Sequence, residues 1–176
     1  MIGQQFISAA AVFLLLASSG AVQAAEPIPA ELQPAGYTLL FKAKAKGVQI
    51  YTATAEGGAA LKWLLEAPLA RLTARRGKLV IHHYAGPSWE ADDGSKLVRD
   101  KDEKVVSVPA PAADTDIPWL LIKVTADPAP GVLSKIAYVQ RIATQGGAAP
   151  STPPVRADTK IGVPYTATYA FYGKAE

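Results

Sequence analysis

Phe41-Lys42-Ala43-Lys44-Ala45-Lys46-Gly47-Val48-Gln49-Ile50-Tyr51-Thr52 is the stretch that sets the fold class. Successive side chains of an extended chain point to opposite faces, so Phe41, Ala43 and Ala45 fall on one side and Lys42, Lys44 and Lys46 on the other. Lys46-Gly47 then reads as a turn, and the flanking runs 37–45 and 48–52 as the two arms of a hairpin. Lysine at every second position is a solvent face that also guards a sheet edge against pairing with a neighbour.

The same period of two runs outward in both directions. Residues 79–84 form a strand after Arg76-Gly77, and 88–91 and 95–99 flank Asp92-Asp93-Gly94, a hairpin signal whose central residues favour positive φ. Residues 105–108, 117–124, 136–143 and 164–172 complete the series, with 117–124 apolar enough for burial on both faces. Over 58–69 the pattern is double: Leu61, Leu64 and Leu65 have helical spacing, but Trp63, Leu65, Ala67 and Leu69 alternate and Pro68 breaks a helix, which favours a strand or short turn. Residues 146–154 are a low-complexity surface loop. The expectation is an all-β, single-domain antiparallel β-sandwich or partly closed barrel of about eight to ten short strands. An outer-membrane barrel is set aside because the strands are short, the outward faces carry lysine and the last four residues include charge.

Residues 1–24 read as a signal peptide. The uncharged apolar run 6–17 is shorter than the ~20 residues that span a bilayer, and Val22-Gln23-Ala24 offers small residues for cleavage before Ala25. No basic side chain precedes the apolar run. Residues 25–176 make one domain large enough for its own core. The chain has no cysteine, which excludes disulfides, thiolate metal sites and a cysteine nucleophile and suits an exported envelope protein, periplasmic or extracellular. A net charge of +3 without a basic stripe argues against nucleic acid as a partner, and no transmembrane span is expected after leader cleavage.

Chemistry concentrates in His82-His83-Tyr84-Ala85-Gly86-Pro87-Ser88-Trp89-Glu90-Ala91-Asp92-Asp93-Gly94-Ser95, which holds both histidines. Adjacent strand residues face opposite ways, so His82 and His83 cannot share a metal, and no metal or cofactor is expected. The simpler reading packs one of them inside and leaves the other in solvent. Trp89 is read first as a core anchor and second as a stacking platform beside the Glu90 carboxylate. Asp92 to Ser95 is explained as turn chemistry rather than a calcium loop. Arg141 lies in an apolar strand, where a buried carboxylate partner is expected because an unpaired buried charge is costly; the alternative is a ligand anion. Dinucleotide, phosphate-loop, nucleophile-elbow and zinc-protease motifs are absent.

The order Gly47-Val48-Gln49-Ile50-Tyr51, His83-Tyr84-Ala85-Gly86-Pro87-Ser88-Trp89-Glu90, Asp93-Gly94-Ser95, Ile117-Pro118-Trp119-Leu120-Leu121, Tyr138-Val139-Gln140-Arg141-Ile142 and Tyr165-Thr166-Ala167 resembles the family catalogued as domain of unknown function 3455. The resemblance covers essentially the whole of 25–176, in order. The resemblance implies a secreted protein with no established activity. The cysteines of fungal relatives have no counterpart here, and a malate dehydrogenase label carried by some relatives finds no dinucleotide fingerprint or α/β alternation.

The functional expectation is a non-catalytic protein that binds a small molecule, a glycan or an envelope component. Its candidate residues are His82, His83, Trp89, Glu90, Trp119 and Arg141, since aromatic faces with a few polar groups suit such ligands. The alternatives are a hydrolase using Glu90 with His83 or Asp92 and Asp93, and a purely structural or interaction protein.

Overall fold

A computed structural model describes residues 26–55 and 57–174; the expected leader at 1–24 lies outside them. The strands are β1 (Tyr37–Thr54), β2 (Lys62–Ala74), β3 (Leu79–Tyr84), β4 (Ser88–Ala91), β5 (Lys96–Arg99), β6 (Val106–Val108), β7 (Trp119–Ala126), β8 (Ile136–Gly146) and β9 (Lys160–Lys174). All neighbours are antiparallel, and pairing of β5 with β7 closes β5-β4-β3-β2-β1-β9-β8-β7 into an eight-stranded barrel. Of the two architectures expected, the barrel is the one formed. β6 continues the line of β5: β5 pairs with Val124 to Ala126 and β6 with Trp119 to Leu121, both along one edge of β7. The two act as a single stave interrupted by the charged turn at 100–105.

The main departure from expectation is β1. Gly47 is not a turn but the middle of an 18-residue strand, paired to β2 on one side and β9 on the other. The lysines at 42, 44 and 46 are exposed as expected, but they stand on an interior strand of a closed sheet and guard no edge. Gly47 serves close approach instead: a Cβ there would lie 2.2 Å from the Leu69 carbonyl oxygen and 2.4 Å from the Ala70 Cβ. Pro68 is tolerated inside β2 because β2 has by then run past β3, whose pairing covers only Ala70 to Ala74.

Inward positions sort by size. Ala43, Ala45, Gly47, Ala70 and Ala91 are small, and the bulk comes from Trp89 on β4 and from Tyr165, Tyr169 and Phe171 on β9, where Tyr169 pairs with Ala43 and Tyr165 with Gly47. They also sort by polarity along the axis. One end is apolar, with Leu79, Leu97, Val124, Leu133 and Val139 in the main core and Phe41 stacked on Phe171. The other end carries Gln49, Tyr51, His83, Arg141 and Tyr165 among its buried residues. A second cluster, Leu32, Ala110, Trp119, Leu121 and Ile142, packs on the outside of the wall, where the Gln140 amide donates to the Leu32 carbonyl at 2.7 Å.

The Asp92-Asp93-Gly94 turn joins β4 to β5 as expected, with Gly94 alone left-handed at φ 83°. Asp93 Oδ1 accepts from the Ser95 N–H and hydroxyl, and Oδ2 accepts from the Val132 N–H at 2.7 Å. The Ser95 hydroxyl first, and then the backbone N–H groups, hold the Asp93 carboxyl below the usual carboxylate range. This acidic turn is therefore a latch on the 131–134 turn, whose Leu133 plugs the apolar end.

Candidate functional site

The six candidate residues do not share one surface. Alternation along β3 and β4 puts His83 and Trp89 inside, directly paired across the strands, and His82 and Glu90 outside, also paired. Outside, His82 lies 3.6 Å from Asp92, Tyr84 donates its hydroxyl proton to Glu90, and Lys96 sits 5.3 Å from the Tyr84 ring centre. Trp119 belongs to the outer cluster. Arg141, on β8, points inward at the polar end of the barrel with His83 and Trp89.

At that end lies a cavity of about 110 Å³ lined by Gln49, Pro68, His83, Trp89, Arg141 and Tyr169, among others. Its rim includes Leu65, which is 58% exposed, so the cavity reaches solvent at the barrel mouth. An eight-stranded barrel has an interior just wide enough to be filled by side chains or to hold one small ligand.

The electrostatics are those of a donor-rich, cationic cleft. Arg141 is 8% exposed, and its Nε and Nη2 both donate to the Pro118 carbonyl, at 3.1 and 2.9 Å. Among the described residues no carboxylate forms an ion pair with it, so the expected buried carboxylate partner is not there. The Trp89 indole N–H and the Gln49 amide nitrogen are buried and have no acceptor among the described residues. Buried donors are almost always satisfied, and the exceptions tend to mark functional places. Gln49 carried no functional signal in the sequence, because its inward placement depends on β1 being one unbroken strand.

His83 stacks face to face on Trp89 at 4.5 Å and 9°, with Tyr169 edge-on at 5.4 Å. Its Nδ1 lies 2.8 Å from the Ser88 carbonyl. A carbonyl only accepts, so Nδ1 carries the proton and Nε2 presents a lone pair. Burial first, and then the Arg141 charge, push the His83 pKa down to about 3 against a hydrogen bond to Ser88 that raises it. Burial likewise raises the Tyr165 hydroxyl, whose oxygen lies 3.2 Å from that of Tyr169. The Tyr51 hydroxyl donates to the Gly147 carbonyl at 2.6 Å.

The pairing expected for hydrolysis is not assembled here. An imidazole held so far below neutrality is a weak general base at pH 7. Glu90, its expected carboxylate partner for hydrolysis, stands on the opposite face of the wall, and Asp93 is committed to its latch. No group of three or more His, Asp or Glu suited to a metal occurs among the described residues.

The family model described as protein of unknown function (DUF3455) matches residues 34–173. The chain belongs to that family. The match covers every strand of the barrel except the last residue of β9, so barrel and mouth cavity are both parts of the family domain. Neither the curated proteins nor the solved structures provide a match.

Proposed function

We propose that the protein is an exported, non-catalytic binding protein whose barrel mouth takes the carboxylate end of a small organic acid. One observation carries this reading: Arg141, buried without a carboxylate, shares the mouth cavity with the acceptor-less N–H groups of Trp89 and Gln49. A carboxylate supplies what all three lack, a negative charge and several lone pairs in one planar group. Full burial of Trp89 suits a purely structural protein equally well; the unmatched donors favour a ligand. Size limits the ligand further. At about 110 Å³ the cavity is smaller than the ~150 Å³ that accommodates benzene in an apolar core, so only a headgroup and a few carbons enter, and the remainder lies across the rim near Leu65. The leader-like segment 1–24 supports export.

The first experiment compares formate, acetate and propionate with formamide, acetamide and propionamide as thermal stabilisers of the 25–176 protein. A ligand present at a hundred times its dissociation constant adds about 2.7 kcal/mol to the native state, which moves the melting temperature of a domain this size by several degrees. The acids are expected to raise it and the amides to leave it in place. Equal response to both, or to neither, contradicts the carboxylate assignment.

A further inference from the structure

On the outside of the barrel a second cavity of about 850 Å³ runs between β1, the β2–β3 turn, β8 and the 111–116 loop. Its size is that of a complete small-molecule site. Four cations line it: Lys42 and Lys44 from β1, and Arg75 and Arg76 from the turn. None forms an ion pair with a carboxylate of the described residues. Lys44 donates to the Thr168 hydroxyl at 2.8 Å, and Arg75 sits 5.8 Å from the Phe41 ring centre. The carboxylates in the lining are Glu26 and Asp116, and Asp116 Oδ1 already accepts from the Gly146 N–H and the Thr115 hydroxyl. Cations therefore outnumber carboxylates in the lining, and none of the four is neutralised by an ion pair among the described residues.

Two independent features separate this groove from an ordinary solvated face. Trp119 lines it, is 5% exposed, and has an indole N–H with no acceptor among the described residues. Among the described residues, three of the four non-glycine residues with positive φ also line it: Arg75 at 49°, Arg76 at 56° and Ala143 at 48°. Left-handed backbone at residues bearing a Cβ is strained, and such strain clusters at binding sites. Here it holds two guanidinium-bearing residues beside the groove in a turn that glycine would form more easily.

We infer that this groove is a second binding site, for a sugar-sized ligand carrying at least one phosphate or carboxylate. The lysines and arginines would take the oxyanions, and the Trp119 N–H would take a hydroxyl or ring oxygen. Phosphate esters and uronates share this chemistry, and the probes distinguish them. The site is separate from the barrel mouth and does not depend on what binds there.

The test is calorimetric titration of the 25–176 protein at low salt with glucose 6-phosphate, digalacturonate and glucose. One or both charged probes are expected to bind with a one-to-one stoichiometry and glucose to bind weakly; the probe that binds identifies the oxyanion. In Lys42→Glu with Arg76→Gly, the affinity is expected to fall at least about tenfold, the scale of losing charged hydrogen bonds, with no loss of melting temperature. Trp119→Phe is expected to weaken binding. The inference is overturned by equal binding of charged and neutral probes, by no binding at all, or by an affinity that survives the double substitution.

Discussion

Lowering the pH from 6.5 toward 3 is expected to cost this protein several kcal/mol of stability through His83 alone. Unfolded, the imidazole titrates near its ordinary 6.5; folded, its pKa is pushed down to about 3. Between those values the unfolded chain holds a proton that the folded chain does not, so stability rises with pH across the window. The contribution is complete above the unfolded pKa and is lost progressively as pH falls toward the folded one. The steepest slope for one group is ~1.4 kcal/mol per pH unit. The causes are structural: His83 is 3% exposed, packs against both Trp89 and Tyr169, and feels the Arg141 charge. Urea unfolding of the wild type and His83→Gln at half-unit steps from pH 7 to pH 4 checks this. The variant is expected to show the shallower slope, with the shared slope coming from carboxyls held low in the folded state, such as Asp93. Identical slopes would mean that His83 can be protonated in place and is not sealed in the wall.

The second large effect is expected at Gly47. A methyl group there meets the Leu69 carbonyl and the Ala70 Cβ far inside van der Waals contact. Both belong to the strand paired with β1, so relief requires the two staves to separate just below the mouth cavity. Overpacking of this kind costs about 1–3 kcal/mol and occasionally more; with backbone as the obstacle, Gly47→Ala is expected at or above the top of that range. Gly162→Ala is the matched control, because its Cβ would meet Val48 at an ordinary 3.4 Å. Equilibrium urea unfolding is expected to show a large drop in midpoint for the first and little change for the second. A tolerated Gly47→Ala would show that β1 and β2 can part at this point at little cost.

The strand pattern was legible because alternation is a local signal: Phe41, Ala43 and Ala45 against Lys42, Lys44 and Lys46 declare a strand without any knowledge of its partners. Closure was not, since a sandwich and a barrel use the same alternation and differ only in whether β5 finds β7. Gly47 misled because glycine marks both turns and close approaches, and only the partner strand decides which. Of the candidate residues, alternation correctly places His82 and His83 on opposite faces, and the same rule separates Trp89 from Glu90. What it does not give is the alignment of β8 with β9 and of β9 with β1, which brings Arg141 and Gln49 to the same end as His83. Arg141 read as half of a buried ion pair because that is how buried charge is usually stabilised. The missing carboxylate is visible only when every neighbour in space has been identified.

The most direct test of the central claim follows the indole N–H of Trp89 by ¹H–¹⁵N NMR while acetate is titrated into the 25–176 protein. The chain has three tryptophans, so Trp89→Phe assigns the resonance by its disappearance. Trp63 serves as an internal reference, since its N–H already donates to the Thr152 carbonyl at 3.0 Å. If the mouth binds a carboxylate through Arg141, Trp89 and Gln49, the Trp89 resonance moves downfield and saturates, the Trp63 resonance stays in place, and both remain fixed in Arg141→Met. A Trp89 N–H that does not respond up to high acetate, or that responds equally in Arg141→Met, contradicts the claim that these donors form an anion site.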